Sequence, residues 1–173
     1  GWNSEGFDIP YTVNRVTKVL SKEDTRRFCL WNAMPKKREY EKYGKQFNPT
    51  KYDAMQWAKA MKKAGMKYVV ITSKHHDGFA LWDSEVSNYD IIDFAPYGKD
   101  ILKSLAEACK AEGIKFGLYH SIMDWHHPQA QAIDAPRYKY QKNPNPEFPQ
   151  YYENYLKPQL KELVDNYDPD IMW

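Results

Sequence analysis

The chain predicts an α/β fold, helices alternating with parallel strands, from three observations. Helical and strand patterns follow one another in the order α-β-α-β-α-β, and each helix-to-strand link takes only two to four residues. The strand-to-helix links are long, residues 74–99 and 121–150. Long insertions that all leave the C-terminal end of a strand suit a parallel sheet or a (β/α)8 barrel, whose catalytic face carries its loops. A doubly wound open sheet would show the same order. No glycine-rich phosphate loop follows any strand, which weighs against a nucleotide site.

The first 30 residues show no periodicity, although Tyr11 to Thr17 is rich in β-prone residues. The clearest helix spans 51–65, where Ala54, Trp57, Ala58, Met61 and Ala64 recur at helical spacing and give one apolar face. Thr50 with Asp53 resembles a capping box, and Gly65 supplies a stop. The strand Tyr68 to Ser73 follows. A second helix covers about 100–112, with Ile101, Leu102, Leu105, Ala108 and Cys109 turned inward and Gly113 closing it. The strand Ile114 to His120 begins at once. A third helical pattern runs from Tyr151 to Tyr167 through Tyr155, Leu156, Leu160, Leu163 and Val164. Pro158 inside it predicts a kink, and Asp168-Pro169 ends it before a strand opening at Asp170.

Of 173 residues, 25 are basic and 23 acidic, for a net charge of +2. That balance offers no electrostatic footprint for nucleic acid. No apolar run approaches the roughly 20 residues that span a bilayer. The N-terminus lacks the basic and apolar regions of a signal peptide. Cys29 and Cys109 lie far apart, and Cys109 falls on an apolar helix face that suits a buried thiol. Aromatic residues make up 16% of the chain, with 14 Tyr and 6 Trp. Flat rings with a polar edge serve stacking on sugars, interfaces or an aromatic core, and composition does not separate these.

Chemistry concentrates in Lys74-His75-His76-Asp77-Gly78-Phe79, directly after an apolar strand. All five histidines, His75, His76, His120, His126 and His127, lie at strand ends or in the loops that follow. One shared face accounts for this better than chance scatter. His75, His76, Asp77, His120, Asp124 and His126 could supply metal ligands. Adjacent residues of an extended strand point to opposite faces, however, and neither the His-x-x-x-His nor the His-x-His spacing occurs. A neutral polar ligand fits better. Imidazoles donate to and accept from hydroxyls, while Trp82, Tyr119 and Trp125 offer stacking surfaces. Core packing competes for each of these aromatics.

The stretch from Gly65 to Ser84, with that cluster at its centre, resembles the signature region of the family 29 glycoside hydrolases, the α-L-fucosidases. Lys99-Asp100, the segment Gly113 to Ser121, Asp124-Trp125, and Tyr155 through Leu163 to Trp173 resemble the same family in order and spacing. The resemblance covers about 40–173 and leaves 1–39 as a poorly matched N-terminal segment. It implies a partial (β/α)8 TIM-like barrel and hydrolysis of terminal α-L-fucosyl linkages with retention. It also implies a fucosylated oligosaccharide or glycoconjugate as partner, no cofactor, and a secreted, periplasmic or lysosomal setting. Substrate contacts are expected at His75, His76, Tyr119, Trp173, Trp82 and Trp125, with Trp173 beside the nucleophile strand.

Lys74 and Gly78 are expected to shape the turn, and Asp77 to orient its neighbours. The family's nucleophile is an aspartate two positions beyond the tryptophan matching Trp173, so neither reacting carboxyl group falls within these residues. The family's first strand ends in His-Trp-Gly, without a counterpart in 1–39, and its Glu-Trp pair is echoed only by Leu30-Trp31. Two expectations follow: a fragment of an enzyme, inactive alone, or a non-catalytic sugar-binding homologue on the same scaffold.

Overall fold

The computed structural model describes residues 37–130 and 145–173, with side chains from residue 41. The β-prone stretch Tyr11 to Thr17, Cys29 and Leu30-Trp31 lie outside the described residues. By compactness the chain divides into residues 1–41 and 42–173. Helix α1 is Lys37–Gly44 and α2 is Ala54–Lys63; strand β1 is Tyr68–Lys74, followed by α3, Ile101–Glu112, and β2, Lys115–His120. A 3-10 turn, Pro128–Ala130, precedes α4, Phe148–Tyr151. That helix continues through a π-helical turn, Tyr152–Leu156, into α5, Lys157–Tyr167, and β3 is Ile171–Met172. No helix among the described residues is long and apolar enough to cross a membrane.

The three strands are parallel, in the order β1-β2-β3, so the α/β alternation read from the sequence is present. Tyr68 pairs with Lys115 and Gly117 with Ile171. One irregularity matters. The pairing shifts between Thr72 and Lys74, leaving Ser73 as an extra residue at the C-terminal end of β1. Bulges of this kind re-aim the side chains that follow.

The inward face expected for α3 is the one observed, since Ile101, Leu102, Leu105, Ala108 and Cys109 are all buried. Asp100 caps its start by accepting from the Lys103 N–H at 2.9 Å. Gly113 closes it at φ +70°, a left-handed position that favours glycine. Its apolar face packs on Trp82, Ile114, Phe116, Leu118 and Leu163. The α2 start differs from expectation. Asp53, not Thr50, caps it by accepting from the Gln56 N–H, because its extended backbone brings the carboxylate over the first free N–H groups. Trp57 also departs from the predicted face: it is 50% exposed and meets Tyr52 edge-on.

The kink predicted at Pro158 takes a specific form. Proline has no N–H, and its ring crowds the carbonyl four residues back, here Asn154. The turn Tyr152–Leu156 widens to π geometry immediately before it, and the helix resumes with Pro158 in its first turn. Asp168 then ends α5 at φ 41°, a conformation that aspartate tolerates better than bulkier residues.

Candidate active site

The site is built where β1, β2 and β3 end. After Lys74 the chain makes a turn closed by the Gly78 N–H donating to the His75 carbonyl at 3.0 Å. The following segment folds back over the strand, with Leu81 N–H donating to the Ser73 carbonyl and Ile91 N–H to the Ala80 carbonyl. The β2 loop is stitched alongside: Ser121 N–H donates to the Lys74 carbonyl at 3.0 Å, and Trp125 N–H to the His76 carbonyl at 2.6 Å. Strand β3 adds the third edge, through His120 N–H donating to the Trp173 carbonyl at 2.9 Å.

Those links bring five rings from distant positions into a chain of contacts. Trp125 lies 5.1 Å from His76, which lies 4.2 Å from His75. His75 stacks on Tyr119 at 5.7 Å, and Tyr119 meets Trp173 edge-on at 6.5 Å. His75, His76 and Tyr119 are half-buried, Trp125 is buried, and Trp173 is 76% exposed. The sequence argument that His75 and His76 face apart does not hold. Strand β1 has ended and the bulge at Ser73 has turned the chain, so both imidazoles share one side.

The sixth expected contact, Trp82, is placed elsewhere. It is fully buried in the core under the loop, and its indole N–H donates to Glu162 Oε2 at 2.9 Å. His120 is also internal: Nδ1 meets Ser73 Oγ at 3.1 Å, and the ring packs edge-on against Trp82. His126 stacks on Tyr89 at 3.9 Å, and His127 packs against Tyr151 and Tyr155. These three histidines serve packing more than a ligand surface.

Beneath the rings sits a feature that residue order did not reveal. Lys74 Nζ pairs with Asp124 Oδ2 at 3.2 Å, both side chains being fully buried. It also donates to Tyr151 Oη at 3.3 Å and lies over the rings of Tyr151 and Tyr155. Asp124 Oδ1 accepts from the N–H groups of His126 and His127, each at 2.8 Å. A lysine directly before the two histidines and an aspartate before Trp125 were the available signals, but pairing across 50 positions is not legible in one sequence. Gly78 fits against this pair. Its φ is +80°, and a Cβ there would lie 2.6 Å from Asp124 Oδ1 and 2.7 Å from His126 Cβ.

Burial, reinforced by its His76 neighbour, pushes the His75 pKa down to about 4. Burial lowers His76 as well, and His120 falls to about 3. The rings are therefore neutral near pH 7 and can each both donate and accept. Lys74 is lowered by burial, against the opposing pull of Asp124. Among the described residues, no group of three or more His, Cys, Asp or Glu is placed to hold a metal ion. A groove of about 610 Å³ opens at the opposite ends of the strands, between Lys103, Lys110, Lys115 and Asp170, away from the rings.

Comparison with known proteins identifies the family. The alpha-L-fucosidase family model matches residues 11–173, beginning upstream of residue 40 where the motif resemblance starts. An alpha-L-fucosidase of Dictyostelium discoideum is 39% identical over 135 residues, 78% of this chain and 28% of that protein. A Bacteroides thetaiotaomicron alpha-L-fucosidase, solved as a trapped covalent intermediate with 2-fluoro-fucosyl fluoride, is 38% identical with a TM-score of 0.69. That likeness covers 83% of this chain and 31% of that one. The Lactobacillus casei alpha-L-fucosidase AlfC, in complex with its alpha-L-fucose product, is 35% identical with a TM-score of 0.71, over 84% of this chain and 48% of that one. The chain thus spans only about 27–35% of the length of the curated relatives it matches. A family match over nearly all its residues, together with parallel strands that end in clustered histidine and aromatic rings, places the chain in the alpha-L-fucosidase family.

Proposed function

We propose that the protein is a retaining α-L-fucosidase that removes terminal α-L-fucosyl residues from oligosaccharides or glycoconjugates. Residues 40–173 supply part of its (β/α)8 catalytic domain. The observation that carries this reading is the ring cluster at the strand ends, with His75, His76 and Tyr119 half-buried and both imidazoles neutral. Neutral imidazoles and a phenol match a ligand made of hydroxyl groups, which both donate and accept. The faces of Trp125 and Trp173 add stacking surface for the apolar side of a sugar ring.

Retention proceeds by double displacement through two carboxyl groups about 5 Å apart. The trapped covalent intermediate of the Bacteroides enzyme is consistent with such a path in a relative. The described rings, in this reading, bind and orient the sugar. The metal hydrolase reading lacks a ligand cluster among the described residues.

The test is turnover of an aryl α-L-fucoside by the full-length protein and its His76→Ala variant. Loss of one hydrogen bond to the sugar should reduce kcat/KM by about 1–3 kcal/mol in transition-state binding. Absence of turnover in the unaltered full-length protein would refute the reading, and an unchanged kcat/KM would remove His76 from the sugar site.

A further inference from the structure

The His76 ring is held on one edge. Its Nδ1 makes a short hydrogen bond with Ser121 Oγ and lies 3.4 Å from the Met123 carbonyl. Nε2 has no protein partner among the described residues. Ser121 is 2% exposed, and its backbone is fixed by the N–H bond to the Lys74 carbonyl, so its hydroxyl has little freedom to turn elsewhere.

Which atom carries the proton follows from the partners. A carbonyl only accepts, whereas a hydroxyl can donate or accept. A proton on Nδ1 would leave the Ser121 hydroxyl hydrogen buried without an acceptor among the described residues, and its carbonyl alternative is at the outer limit of hydrogen bonding. A proton on Nε2 satisfies both groups: Ser121 O–H donates to Nδ1, and the imidazole presents N–H on its other edge. We propose that Ser121 is a positioning residue that fixes His76 as the Nε2–H tautomer, so that His76 meets its ligand as a hydrogen-bond donor. The group it selects is a sugar oxygen in an accepting role, which rests on the fucosidase reading above. The partner of a ring nitrogen sets the tautomer and orientation of many functional histidines in the same way.

The experiment uses full-length protein with 15N-labelled histidine, read by long-range proton–nitrogen correlation near neutral pH. His76 should show a pyrrole-type Nε2 and a pyridine-type Nδ1. In Ser121→Ala the Met123 carbonyl becomes the remaining partner, and the ring should move toward Nδ1–H. Ser121→Thr, which keeps the hydroxyl, should restore the pattern. Affinity for free L-fucose should fall roughly tenfold in Ser121→Ala and return to within about twofold in Ser121→Thr. A wild-type ring protonated at Nδ1 overturns the proposal without needing any variant to fold. A tautomer that moves while fucose affinity stays constant overturns the ligand-facing role. Fucose binding by the unaltered protein decides the fucosidase reading separately: an Nε2–H ring in a protein that does not bind fucose sinks that reading and leaves the tautomer control standing.

Discussion

Cutting the Lys74–Asp124 pair should loosen the whole strand-end surface. With Nζ and Oδ2 3.2 Å apart, an effective dielectric constant of about 20 gives an attraction of about 5 kcal/mol. Burying two ions costs several kcal/mol each, so the intact pair adds little net stability. Removing one partner is different, because the other stays buried and unpaired. Lys74→Met should therefore cost about 3–5 kcal/mol, and Asp124→Asn a similar amount, as Asn can still accept from the N–H groups of His126 and His127. The double variant Lys74→Met/Asp124→Asn removes both charges and should cost about 2–3 kcal/mol less than the two single losses added together. Urea denaturation of the full-length protein gives the cycle. Hydrogen exchange over residues 74–79 and 121–127 reports whether the loss is local. Burial lowers the Lys74 pKa below that of the unfolded chain, so the unfolded state binds more protons between the two values. Stability from this group should rise with pH through that alkaline window in the wild type, and not in Lys74→Met. Single variants that each lose under about 1 kcal/mol would refute a buried, tightly coupled pair.

Gly78→Ala forces a Cβ into φ +80° and to 2.6 Å from Asp124 Oδ1, and should destabilise the full-length protein by about 3 kcal/mol in the same denaturation assay. A near-neutral effect would show that the two loops have room to separate. Burial holds His75 neutral down to about pH 4 and lowers His76 too, so L-fucose affinity should stay flat through the ordinary histidine range and weaken only at lower pH, as these rings gain their protons. Calorimetric titration across that range checks it, and a break near the ordinary histidine value of about 6.5 would contradict the burial assigned to the ring.

Much of the scaffold was legible because its signals are local. The inward face of α3, its Asp100 start and its Gly113 stop follow from helical spacing and from capping chemistry within one turn. Pro158 announced an irregularity, although proline alone does not say whether the chain kinks or widens to a π turn. The site was half legible. Histidines at strand ends pointed to one face, but the pairing of His75 with His76 depends on where β1 stops and on the bulge at Ser73. That bulge is a property of strand pairing, invisible to alternation along one strand. The burial of Trp82 was hidden for a related reason. It lies seven positions from His75 in a loop that folds back, and only Glu162 on α5 reveals that its indole points into the core.

The charges near the rings are committed to architecture, which fixes what this surface can contribute. Asp124 is bound by Lys74 and two backbone N–H groups, while Asp77 Oδ1 accepts from the Phe79 N–H and holds the turn. A carboxylate tied in this way is poorly suited to attack a carbon or to pass a proton, since either step must break bonds that hold the loop together. The imidazoles, in turn, are kept neutral by burial, so under the fucosidase proposal they would add no fixed charge beside an oxocarbenium-like transition state as it develops positive charge. A cation at His75 or His76 would oppose that development. Neutral rings above a closed ion pair therefore suit recognition of hydroxyl groups. They also set a limit on engineering. Raising the His75 pKa by opening its surroundings should move the loss of L-fucose affinity to higher pH.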